Sequence, residues 1–213
     1  MRLGIFGALF LKDLQNFRHS LIPALLFGLP VFLLLGLSSQ SGDSSLLAWQ
    51  SAYWIVFFLA VTSLFYRSFE QENRSRNFSH YFSLRTPRLL IFLSQALSQW
   101  MATALLSVFF LSLVFIFWSP QDFELRSLWV SLLVGLAISP MGCLIGLLLH
   151  WERDFLFGLF FIPLMSPAIL AGHELSFAPQ VSWLYLLLAQ AVAGGFLSAL
   201  VFEFFFDELI ESQ

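Results

Sequence analysis

The chain has 213 residues, of which 59% are hydrophobic and only 11% charged, with a formal net charge of −3. A soluble domain carries about 25% charged residues, so too little polar surface exists to cover a water-soluble globule, and the chain reads as one polytopic membrane domain. The single cysteine, Cys143, excludes an internal disulfide and a cysteine-built metal site; it reads as a small packing residue.

At the N-terminus, Ile5, Phe6, Leu9, Phe10, Leu14 and Phe17 recur at helical spacing, with Lys12, Asp13, Gln15, Asn16, Arg18 and His19 between them. That pattern predicts an amphipathic helix over residues 1–20, too polar to span and suited to the membrane interface. Charges arrive before any long apolar run and no small-residue cleavage site follows, so a cleaved signal peptide is not expected.

A crossing needs about 20 apolar residues for roughly 30 Å of hydrocarbon. Six stretches qualify: Leu21–Leu37, Leu46–Tyr66, Leu89–Trp118, Ser127–Leu149, Phe155–Ala171 and Val181–Phe206. The third is long enough to demand tilt or an extension past the bilayer. The fifth carries Pro163 and Pro167, each of which removes a backbone donor and crowds the preceding turn, so a kink or break is expected there. Trp49, Tyr53, Trp54, Trp118, Trp129, Trp151 and Trp183 fall mostly near span ends, as an aromatic belt requires.

The segments before span one, between spans two and three, and between spans four and five hold nine of the ten basic residues; the opposite side has only Arg126. The positive-inside rule then places both termini and the loops 67–88 and 150–154 in the cytoplasm. The outer loops, about Ser38–Ser45, Ser119–Arg126 and Gly172–Gln180, are short.

The span centres hold no Asp, Glu, Lys, Arg or His, which argues against an ion-coupled carrier or proton pump. No Gly-x-Ser-x-Gly, His-Glu-x-x-His or intramembrane aspartate pair supports proteolysis, and serines such as Ser94, Ser98, Ser107 and Ser112 read as helix–helix hydrogen-bonding groups. The only lysine, Lys12, lies in no phosphate loop, so any ATP-driven work belongs to another chain. His19, His80 and His150 read as interfacial polar residues. His173, in the predicted outer loop "AGHELSFAP" beside Glu174, could serve as a haem axial ligand; a lone loop histidine is more simply a polar surface residue.

Four stretches carry a resemblance: "FRHSLIPALLFGLPVFLLL" at the entry to span one, "YRSFEQENRSRNFSHYFSLRTP" after span two, "LSQALSQWMATALLSVFFLSLV" in span three and "FIPLMSPAIL" in span five. In this order they resemble the permease subunits of ABC-2-type transporters, and more closely the haem exporter protein B (CcmB) family of cytochrome c maturation. The chain departs from that family at Tyr66, where it usually has an acidic residue, near Arg76, where it has a glycine, and at "SLRTP", where it has a Leu-Pro-rich end. The resemblance implies an all-α permease of six spans preceded by an interfacial helix, in a bacterial inner membrane. It implies a non-catalytic subunit that works with a separate ABC ATPase and with a second membrane subunit or a second copy. It also implies a haem-handling membrane protein and a haem chaperone as partners, with haem held chiefly by the companion rather than by His173. Lipid is the remaining contact, and nucleic acid is not expected. The alternatives are an ABC-2 exporter of a lipid, glycan, drug or peptide, a membrane assembly factor, and an intramembrane enzyme with an unrecognised site.

Residues 67–88 are the candidate ATPase-coupling segment. Phe78, Tyr81 and Phe82 fall on one side at helical spacing, suited to a cleft, while Arg74 and Arg76 suit acidic groups or lipid phosphates. A basic loop serving topology and lipid contact alone is the competing reading.

Overall fold

A computed structural model describes residues 2–40, 49–74, 87–118, 125–149, 155–178 and 180–211, with side chains at 6–15, 19–37, 49–68, 87–118, 125–145, 161–178 and 180–204. All regular structure among the described residues is helical: α1 (Arg2–Gln40), α2 (Trp49–Arg74), α3 (Arg88–Trp118), α4 (Arg126–Leu149), α5 (Phe155–Phe177) and α6 (Val181–Glu211). Among the described residues, five helices contain a stretch long and apolar enough to cross a membrane: His19–Leu37, Trp49–Ser68, Arg88–Trp118, Arg126–Ile145 and Val181–Phe204. Helices suit this composition because each satisfies its own backbone groups where water is absent. α3, at 31 residues, is roughly 46 Å long at 1.5 Å per residue, so it overshoots the hydrocarbon as its apolar run predicts.

Successive helices run antiparallel. The start of α2 meets the end of α5 through Ser51 and His173, and the start of α4 meets the same end through Arg126 and Ser176. At the opposite end Leu9 of α1 clusters with Ile91 and Phe92 of α3 and Phe202 of α6, and Arg88 donates to the Glu203 carbonyl at 3.0 Å. α4 is the most enclosed of the five candidate spans and α6 the least.

The core is built largely from phenylalanine. Phe32, Phe57, Phe65, Phe110 and Phe161 are fully buried. Phe32 of α1 meets Phe110, Phe117 and Trp118 of α3 with ring centroids 5.3–6.0 Å apart, in tilted or edge-on geometries. In lipid this close packing, rather than water exclusion, holds helices together. Gly28 permits it: a Cβ there would lie 2.5 Å from Phe110 Cζ.

Three sequence expectations change. Residues 1–20 and span one are not separate elements, because α1 is one 39-residue helix with Pro23 and Pro30 inside it. No helix-stop signal stands between His19 and Ile22, so the backbone bonding continues. The polar face of the first turns is not wholly turned to water either: Asp13 is only 8% exposed. Second, of the kink or break expected at its prolines, α5 shows no break: the helix runs through both. Pro167 leaves the Pro163 carbonyl without its usual N–H donor, and the Ser166 hydroxyl donates to that carbonyl at 3.2 Å instead. Third, α5 does not end at Ala171. It continues to Phe177, so His173 and Glu174 are helical residues rather than loop residues.

Candidate functional site

Of the predicted coupling residues, Arg74 is the last residue of α2. Arg76, Phe78, Tyr81 and Phe82 lie outside the described residues. The apolar stretch of α2 closes at Ser68, so the helix carries the chain roughly 9 Å further to Arg74.

The other candidate, His173, stands in a defined environment. It is in the last turns of α5 and faces the first turn of α2, where Ser51 Oγ lies 3.1 Å from its Nε2. Glu174 Oε1 is 3.5 Å from its Nδ1, with the two side chains 28% and 41% exposed. The Phe177 ring lies one turn further on, its centroid 4.8 Å from the imidazole. The imidazole is therefore bracketed by a hydroxyl, a carboxylate and an aromatic face.

Hydrogen bonds around it fix α5 against α2 and α4. Trp54 Nε1 donates to Ser176 Oγ at 3.1 Å, and that hydroxyl donates to the Gly172 carbonyl at 2.9 Å. Arg126 donates to the Ser176 carbonyl at 3.2 Å, which sets a cation at the negative end of the α5 dipole. Gly172 lets the helices close. A Cβ there would fall 2.5 Å from the Trp54 ring and 2.6 Å from Val134 Cγ2.

Below His173 a groove of about 670 Å³ opens between α2 and α5. Trp54, Ile55 and Phe58 form one wall, Ile162 and Leu170 the other, and Leu186 of α6 contributes at the side. Its polar groups are Ser51 and His173 at one end and Ser166 along α5.

A second feature was only partly visible in the sequence. Ser94, Gln95, Ser98, Gln99, Thr103 and Ser107 form a buried polar stripe on α3. Ser94 donates to Asp13 Oδ2 at 2.6 Å, and Cys143 donates to Gln99 Oε1 at 3.3 Å. Ser98, Thr103 and Ser107 turn back onto carbonyls of their own helix. Near the far end Tyr53 donates to Ser131 Oγ at 2.7 Å. These bonds join α1, α2, α3 and α4 in the manner of polar contacts between membrane helices. Of the four serines expected to bond between helices, Ser94 donates across to α1, whereas Ser98, Ser107 and Ser112 donate to carbonyls of their own helix; Cys143 is buried as a packing residue should be. The i, i+4 spacing of Ser94, Ser98 and, further along, Thr103 and Ser107 was the available signal; the partner Asp13 was not legible. No group of three or more metal-ligating side chains occurs among the described residues.

No family model, curated protein or solved structure matches the chain.

Proposed function

We propose that this chain is the membrane subunit of an ABC-2-type transport assembly, crossing a bacterial inner membrane six times with both termini in the cytoplasm and driven by a separate ATPase. α5 supplies the sixth crossing. Within that class we place it with the haem exporter protein B family, in c-type cytochrome maturation, where ATP hydrolysis by the partner drives haem export or release of a haem-loaded chaperone. Transport, rather than catalysis by this chain, is the proposed role.

The observation that carries the reading is the run of α2 to Arg74. A helix unbroken from the middle of the bundle into the arginine-rich segment is a stiff element able to carry a displacement at one end into the spans. The missing phosphate loop gives that displacement an external source. In this mechanism ATP closes the partner, the partner moves the 67–88 segment through Phe78, Tyr81 and Phe82, and α2 passes the motion to its neighbours.

Two double substitutions test it. Arg74→Glu with Arg76→Glu, or Phe78→Ala with Tyr81→Ala, weakens ATPase capture at least tenfold while membrane insertion stays normal. Normal capture by both variants contradicts the coupling assignment. Deleting the gene also lowers c-type cytochromes; unchanged levels reject the maturation branch and leave an ABC-2 exporter of another substrate.

A further inference from the structure

The groove between α2 and α5 has the dimensions and depth of a lipid site. It runs along α5 from Ile162 to His173, an axial length of roughly 16 Å, about half of a 30 Å hydrocarbon core and so the depth of one leaflet. Its volume of about 670 Å³ lies within the ~300–1,000 Å³ common for small-molecule sites. The walls are apolar apart from Ser166, and Ser51 and His173 stand at the end where Trp49, Trp118, Trp129 and Trp183 stand in their helices. Tryptophans at one level of a bundle mark headgroup depth. His173 and Glu174 are therefore at the level of a lipid head, and the groove descends from them to acyl-chain depth.

The charge at that mouth selects the head. Glu174 is part-exposed beside His173, and the carbonyl end of α5 adds partial negative charge. The nearby cation, Arg126, is directed to the Ser176 carbonyl. A primary ammonium brings three N–H donors to a carboxylate, whereas a quaternary ammonium brings none. A head of net negative charge meets Glu174 with like-charge repulsion.

We propose that this groove binds one acyl chain of an aminophospholipid, with the head's primary ammonium held by Glu174 next to the Ser51–His173 pair. The site stands on the groove and its mouth alone, and is independent of the transport reading above.

The test is native mass spectrometry of the full chain in mild detergent, given phosphatidylethanolamine, phosphatidylcholine and phosphatidylglycerol of matched acyl chains. The wild-type chain retains phosphatidylethanolamine at least fivefold over the other two. Glu174→Gln, which keeps the side-chain shape, brings that preference below twofold. Ile162→Trp, which fills the apolar wall, lowers phosphatidylethanolamine retention at least fivefold without lowering the melting temperature by more than a few degrees. Equal retention of the three lipids by the wild-type chain overturns the proposal, as does a preference that survives Glu174→Gln. A homodimer that Ile162→Trp converts to monomer also overturns it, because the groove would then seat a second copy.

Discussion

Single side chains carry much of the cohesion, and their effects are separable. Asp13 is buried and accepts from Ser94 at 2.6 Å. Ser94→Ala takes one donor from a buried carboxylate, and such bonds are worth about 1.5–3 kcal/mol. A loss near the lower figure is expected in a thermal or denaturant melt. Tyr53→Phe removes the buried bond to Ser131, and membrane double-mutant cycles set its cost at about 0.6 kcal/mol, with ~1.7 as a ceiling. The larger loss belongs to Ser94→Ala; the reverse order contradicts the charged character of the Asp13 contact. His173→Ala leaves c-type cytochrome levels close to normal, because in the proposed complex haem is held by a companion subunit. Collapse of those levels would return His173 to the role of haem ligand. None of these partnerships can be read from periodicity. Ser51 lies 122 positions from His173, and Asp13 lies 81 from Ser94, so each pairing exists only once the helices are packed.

At the scale of elements, α5 is the most informative. In the sequence the apolar run gives way at Gly172 to His173 and Glu174, so the outer loop reads as starting there. In the structure Gly172 stands inside the helix, where Trp54 and Val134 leave no room for a Cβ. Gly172→Ala therefore pushes α5 away from α2 and α4, strains the Trp54–Ser176 and Ser51–His173 contacts, and costs about 1–3 kcal/mol as overpacking does. A melt unchanged by this substitution contradicts that packing. Apolar runs were legible because bilayer thickness fixes the length of a crossing; α3 and α4 start within a residue of their runs. Helix ends were less legible. α2 runs on to Arg74 and α6 to Glu211, beyond their apolar stretches, because a helix does not stop where hydrophobicity does. The junction near residue 20 failed for the same reason. A change from mixed to apolar composition altered the surroundings of α1, not its backbone bonding.

At the scale of the whole molecule the two ends of the bundle differ in kind. One carries tryptophans, Glu174 and Arg126, and an apolar groove opens there beside His173. From the other, α2 projects into the segment richest in arginine. Between them the polar stripe of α3 is closed onto helix carbonyls and neighbouring side chains. In the proposed assembly the energy source is a separate ATPase that meets the arginine-rich end. The most direct measurement is purification of the tagged chain from its native membrane in mild detergent, with mass spectrometry and an ATPase assay on the product. The expected product is a stable complex containing a phosphate-loop ATPase, whose capture falls at least tenfold with Arg74→Glu and Arg76→Glu. A monodisperse chain that is functional with no ATPase bound would contradict it.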